Sequence, residues 1–310
     1  MRILTEGDPR PVRASAAAVG FFDGVHFGHR FLLENVKAVA RARGLATMVV
    51  TFPTHPLATL RPAKCPPMLT TTAERMALIE AMGINQCALI DFTPEFSRLS
   101  AEEFMRIYLV GKLNVKALVI GYDHTIGHDR DTSFEGYRLM GERLGINVVR
   151  AAKYMPPSGV EVSSTAIREA IMRGDVARAS AMLGRPYNLA GRVVEGHHVG
   201  TGLGFPTANI NAIDSGKVIP MDGVYSAEAV IGGAAHAAVV NIGCRPTLNN
   251  GDDTTIEAFL PGFSGNLYGE EVNLRFLARL RDEKRFANTL ELREQIARDV
   301  QAATAATGEA

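Results

Sequence analysis

His26 and His29 stand three residues apart in Gly20-Phe21-Phe22-Asp23-Gly24-Val25-His26-Phe27-Gly28-His29, directly after an apolar run and directly before a helical pattern. Free backbone N–H groups and the helix dipole make such a helix start a place for phosphate. Histidines at that spacing share one face of the first turn. As hydrogen-bond donors they could hold the phosphates of a nucleotide while charge builds on departing pyrophosphate. Gly24 and Gly28 let the backbone approach a ligand closely. The plainer alternative is a pair of surface or capping histidines.

A second element, Val162-Ser163-Ser164-Thr165-Ala166-Ile167-Arg168, sets three hydroxyls ahead of a helical run, an N-cap signature. Arg168 lies one turn in and could reach phosphate bidentately. Alone, the segment is better explained by capping. Placed after the last strand of a sheet that opened with HxGH, it becomes the expected closing half of a nucleotide site.

A separate constellation lies further along. Gly196, Gly200, Gly202 and Gly204 fall within nine residues, a loop that could fold over phosphates with backbone donors. It is neither a Walker A sequence nor GxGxxG. After Pro206, Thr207 and Asn209 are two apart on extended chain and point the same way. A hydroxyl and an amide carbonyl are suitable oxygen ligands for Mg²⁺, which keeps waters and substrate phosphates in its shell. Glu257 lies between apolar Ile256 and Ala258 in a strand-like run, so it projects from the opposite face. There it could deprotonate a substrate hydroxyl, or be a solvated strand glutamate.

The elements that must position these residues follow from periodicity. Strand patterns at 14–21, 45–52, 86–91, 117–121 and 147–151 alternate with helical ones at 27–43, 71–82, 102–113 and 132–144. Such alternation implies a parallel sheet with helices on both faces. Two short helices follow at 163–173 and 175–183, broken at Gly174. The chain then becomes rich in strands and glycine, with strands at 190–195, 224–231, 237–242, 254–260 and 271–278, the pattern of a small antiparallel barrel. A closing helix spans 290–303.

Bulk properties restrict the class. A chain of 310 residues exceeds the size at which one core keeps growing, so two domains are expected. Lys+Arg and Asp+Glu both number 33, without the basic excess of a non-specific nucleic-acid binder. Cys65, Cys87 and Cys244 are far apart and lack zinc spacing, which suggests buried thiols in a reducing compartment. No stretch approaches the ~20 apolar residues of a membrane span, and MRILTEGDPR does not read as a signal peptide. A cytoplasmic enzyme acting on small molecules, with neither nucleic-acid nor membrane partner, is expected. Nothing in the sequence indicates an oligomer.

In combination these motifs resemble prokaryotic bifunctional riboflavin kinase/FAD synthetases. FFDGVHFGHR, TFPTHP, FTPEFSRLSAEEF, GYDHTIGHDR and VSSTAIREAI carry the resemblance in the first half, and GFPTANI, DGVYSA, NIGCRPT, IEAFL and GNLYGEEVNLRFLARLRDEKRF in the second. The fold it implies is α/β plus all-β, with a Rossmann-like HxGH nucleotidyltransferase domain at 1–186 and a β-barrel riboflavin kinase domain with a C-terminal helix at 187–310. The resemblance implies that riboflavin is phosphorylated to FMN and FMN adenylylated to FAD, with ATP as co-substrate and Mg²⁺ as cofactor. By the same resemblance His26 and His29 serve catalysis, and Gly20, Asp23, Gly24, Gly28, Asp123, Ser164, Thr165, Arg168, Gly200 and Gly202 bind nucleotide. Phe52, Asn241 and Arg245 contact flavin, Thr207 and Asn209 hold the metal, and Glu257 activates the ribityl hydroxyl. The sequence departs from the family at His124-Thr125-Ile126, Thr132, Glu161, Ala166, Thr201, Phe259 and Pro261-Gly262. The changes near Asp123 keep open an alternative in which the kinase is active and the adenylyltransferase half weakened.

Overall fold

The computed structural model of the chain describes residues 1–122, 126–128, 133–156, 159, 161–195, 205–246 and 252–308, with the side chains of 244–246 and 252–253 outside the description. The chain forms two compact units, Met1–Pro66 with Thr70–Val162, and Pro67–Leu69 with Ser163–Ala310.

The first unit is built on six parallel strands: β1 Arg2–Leu4, β2 Ser15–Val19, β3 Ala46–Thr51, β4 Gln86–Leu89, β5 Val115–Ile120 and β6 Asn147–Arg150. Their order is β1-β4-β3-β2-β5-β6. All five residues of β2 and all six of β3 are buried, as a parallel sheet covered on both faces requires. Ala17 and Val19 join one hydrophobic layer, and Ala16 and Ala18 the other. Among the helices are α1 Phe27–Arg43, α2 Pro56–Leu60, α3 Thr72–Ala81, α4 Ala101–Phe104 and α5 Phe134–Leu144.

From β2 the chain winds outward through β3 and β4, then returns to place β5 on the other side of β2. The carboxyl ends of β2 and β5 therefore form the switch point where open α/β sheets bind ligands. The HxGH segment follows β2, and Asp123, which lies outside the described residues, follows β5 in sequence.

Some expected elements change. β1 is a short edge strand beside β4. The helix expected at 102–113 is α-helical only through Phe104 and continues as a π-helical stretch, Met105–Lys112, with Leu113 N–H reaching back five residues to the Tyr108 carbonyl. α5 starts at Phe134 because the Ser133 side chain caps it, accepting from Gly136 N–H.

The second unit opens with α6 Ser164–Met172 and α7 Val176–Leu183. A closed antiparallel barrel follows: β7 Tyr187–Val194, β8 Thr207–Ala212, β9 Gly223–Ile231, β10 Ala234–Pro246, β11 Asp252–Phe259 and β12 Glu271–Arg281, ordered β10-β11-β8-β7-β12-β9. Register shifts in β12 between Phe276 and Ala278 and between Arg279 and Arg281 give the irregularity that bends a strand around a small barrel. α8, Thr289–Thr307, closes the chain. Pro67–Leu69 joins this unit because Met68 exchanges backbone hydrogen bonds with Gly216 and Val218. α6 and α7 also belong to it, since α7 packs on β7 and β12. The packing division thus falls at Val162/Ser163, ahead of the domain boundary expected at 186/187.

Candidate active sites

In the first unit, His26 is the N-cap of α1. Its Nδ1 accepts the His29 N–H at 3.4 Å, and the two imidazoles stack with centroids 3.7 Å apart. A neutral His26 that accepts at Nδ1 carries its proton on Nε2. The turn leading into it is contorted. Phe22, Gly24 and Val25 all have positive φ, at 58°, 79° and 40°, and only Gly24 adopts that region without strain. Gly28 has a different task from the one expected: a Cβ there would come within 3.2 Å of the His26 ring, so glycine makes room for the imidazole. Gly20 closes β2, donating its N–H to the Val50 carbonyl.

Asp23 is 2% exposed, and its Oδ1 accepts from both N–H and Oγ1 of Thr70 at 3.0 Å. Its visible work is to fix the turn. Phe52 is 7% exposed, set edge-on to Phe92 and Phe96 in an aromatic cluster of the core. Ile126, one of the family departures, is buried, with its N–H and carbonyl both bonded to the Tyr137 hydroxyl. An apolar core residue, not a ring exposed for stacking, is what that position accommodates.

In the second unit, the cap of α6 is Ser163, whose side chain accepts from Ala166 N–H. Ser164 and Thr165 are therefore the first two helical residues, and Arg168, 8% exposed, sits one turn on.

The barrel assembles the other constellation from three strands that are distant in sequence. Asn209 of β8 and Asn241 of β10 both pair with Glu257 of β11, so the three lie side by side across the sheet. Thr207 shares the Asn209 face of β8, and its Oγ1 lies 3.5 Å from Glu257 Oε2. Ile256 and Ala258 turn into the barrel core, as the alternation requires. Thr207, Asn241, Glu257 and Phe259 line one side of a cavity of about 730 Å³, and Phe286 and Leu292 line the other. A cavity of that size accepts a fused aromatic ring system with a polar chain.

Three residues without a role in the sequence reading complete this cavity. Glu283 accepts from Asn241 Nδ2 at 3.0 Å, fixing the amide beside Glu257. Arg281 pairs with Asp299, 4% exposed, holding α8 against the barrel. Gly200 and Gly202 lie outside the described residues, and Arg245 is described by its backbone alone, opposite Asp253.

A hydroxyl, an amide and a carboxylate converging on one face form a hard-oxygen donor set that fits Mg²⁺. Among the described residues no three His, Cys, Asp or Glu side chains cluster to hold a metal. A magnesium carried by substrate phosphates needs no such cage.

Comparison with known proteins gives the same division of labour. The family described as FAD synthetase matches residues 9–166, and the family described as riboflavin kinase matches 183–307. A bifunctional riboflavin kinase/FMN adenylyltransferase of Escherichia coli K12 is 35% identical over 290 residues, covering 93% of this chain and 91% of its own. The protein of the same name from Bacillus subtilis 168 is 34% identical over 293 residues, again covering 93% and 91%. Among solved structures, a Streptococcus pneumoniae protein described as a macrolide-efflux protein is 29% identical, with a TM-score of 0.90 over 98% of this chain and 99% of its own. Among the residues described here, no helix is long and apolar enough to cross a membrane.

Proposed function

The chain belongs to the family of bifunctional riboflavin kinase/FMN adenylyltransferases, and from that premise we propose how its residues divide the two reactions. The observation that carries the reading is the row Asn209–Glu257–Asn241 with the Thr207 hydroxyl beside it, of which Thr207, Glu257 and Asn241 line a cavity of flavin size. Glu257 accepts the proton of the terminal ribityl hydroxyl as that oxygen attacks the γ-phosphorus of ATP, and ADP leaves. Thr207 and Asn209 hold Mg²⁺, whose charge when bound offsets that of the phosphates. Asn241, oriented by Glu283, fixes the flavin against α8. Phosphoryl transfer depends chiefly on positioning and charge, and this set supplies both.

In adenylylation a phosphate oxygen of FMN attacks the α-phosphorus of ATP and pyrophosphate departs. His26, through its Nε2 proton, and His29 stabilise the charge that moves onto the leaving group. By the family correspondence Ser164, Thr165 and Arg168 bind ATP. We place the protein in the cytoplasm, where ATP is available and where Cys65 and Cys87, both free thiols, stay reduced.

Incubation of the purified protein with riboflavin, Mg²⁺ and ATP, followed by separation of the flavins, tests the whole reading. FMN and then FAD are expected. FMN accumulating with no FAD would leave only the kinase half, and unchanged riboflavin would overturn the assignment.

A further inference from the structure

The contorted turn between β2 and α1 is gripped from behind by a buried cation. Arg75 of α3 is 1% exposed. Its Nη2 donates to the Phe52 carbonyl at 2.6 Å and the Pro53 carbonyl at 3.5 Å. Its guanidinium carbon lies 4.2 Å from the centre of the Phe21 ring. Burial pulls the Arg75 pKa down, and the charge of Asp23 pushes it back up. An aliphatic side chain of similar volume would fill this place with no charge to desolvate. The cation therefore points to a task beyond packing.

The task follows from what Arg75 connects. Phe21 begins the segment leaving β2, and Phe52 and Pro53 begin the segment leaving β3, its neighbour in the sheet. Both emerge at the carboxyl edge, where the ligand site lies. Arg75 touches both at once. Next to it, Thr70 holds the Asp23 carboxylate and accepts the Gly24 N–H at 3.1 Å, while the Thr51 hydroxyl donates to the Phe21 carbonyl. Phe22 and Val25, non-glycine residues at positive φ, persist only where their surroundings enforce that geometry.

We propose that Arg75 is a positioning residue for adenylyl transfer: by bridging the Phe21 ring to the Phe52 and Pro53 carbonyls, it holds the turn that presents His26 and His29 in register with the loop after β3. This rests on the reading of the two histidines as the phosphate-binding pair. The test measures kcat and KM for FAD formation in Arg75→Met and Arg75→Lys, with riboflavin phosphorylation by the same chain as control. Displacing a reacting group by about 1 Å costs up to about 10²-fold. Arg75→Met should accordingly lower the adenylylation kcat about 10-fold or more, with little change in KM or in the kinase rate. Arg75→Lys keeps the charge and a carbonyl bond but lacks the flat face over Phe21, so its kcat should fall between. An adenylylation kcat at the wild-type level in Arg75→Met overturns the proposal, and so does an equal loss of both activities. Should Arg75→Met fail to fold, Arg75→Lys decides, and an unaltered kcat there overturns it. Absence of FAD synthesis by the unsubstituted protein would instead sink the reading of the histidine site.

Discussion

The hydroxyl oxygen of Thr207 lies 3.5 Å from Oε2 of Glu257, on adjoining strands whose register sets Asn209 directly opposite that glutamate. The pairing places the proposed base and the two proposed metal ligands within one patch of sheet. Glu257→Gln keeps the shape and hydrogen bonding of the side chain but cannot take a proton. FMN formation should fall by ~10²–10⁴, the usual contribution of a general base. FAD synthesis from supplied FMN should continue, because the histidines belong to the other unit. Near wild-type FMN synthesis at saturating Mg²⁺ would make Glu257 an ordinary solvated strand residue.

Thr207→Val is nearly isosteric and removes the oxygen that faces the carboxylate. If Thr207 is a metal ligand, the Mg²⁺ concentration for half-maximal phosphorylation should rise about 10-fold, with much of the rate recovered at high Mg²⁺. Chelation of the metal should abolish FMN formation in both proteins. An unshifted Mg²⁺ titration would remove Thr207 from the metal site.

The two activities should separate, with the cut made where the packing divides. α7 buries Val176, Ala179, Met182 and Leu183, and the Met221 N–H donates to the Ile171 carbonyl. At the corner between α6 and α7, Gly174 is so tightly packed that a Cβ would come within 2.6 Å of Arg279. Burying side chains such as Val, Met and Leu contributes roughly 1.5–3 kcal/mol each. A fragment of residues 163–310 should therefore melt about 5 °C or more above one of residues 187–310. Both should convert riboflavin to FMN. Equal melting midpoints would show that the helix pair adds nothing to the barrel, and a folded but inert barrel would refute the kinase assignment.

Local signals were legible wherever a cap or a turn residue marked them. The helix read at 27–43 is α1 itself, because Gly44 at φ 65° ends it and His26 caps it. What local reading could not reach was register. Asn209, Asn241 and Glu257 are brought side by side by pairing among three strands, and no spacing along the chain encodes that adjacency. β8 is legible only as extended chain at Thr207 and Asn209, because Thr207–Ala212 has weak alternation, and β1 is not legible because three residues carry no period. Arg75 lies four residues before Ile79 and so shares the inward face of α3, but only the fold shows its guanidinium set over Phe21.

Cys87, with no exposed surface, has its thiol pushed up to about 12 by burial, against a smaller downward pull from Arg75. A raised pKa keeps the reactive thiolate scarce at every pH below that value. Iodoacetamide at pH 8 should label the half-buried Cys65 and spare Cys87 until the protein unfolds. Mass spectrometry of the labelled peptides checks this, and similar labelling rates at the two sites would contradict the burial of Cys87.

His29→Ala isolates the contribution of one imidazole to adenylylation. The cap of α1 uses the backbone N–H of His29, which alanine retains, so the helix start should survive the change. The ring stacked on His26 at 3.7 Å and set edge-on to Phe22 at 5.2 Å is lost. Removing one preorganised donor to a developing charge costs ~10²–10³ in kcat. FAD formation should fall by that factor while FMN formation from riboflavin is unchanged. Loss of packing is the competing cause, and His29→Gln separates the two. Glutamine restores a donor at similar reach but not the aromatic stack, so it should recover part of the rate if donation to phosphate is what matters. A glutamine variant as slow as the alanine one would assign the effect to the ring's packing. Equal losses in both reactions would mean a shared site or a folding defect, and the two-site division would fail.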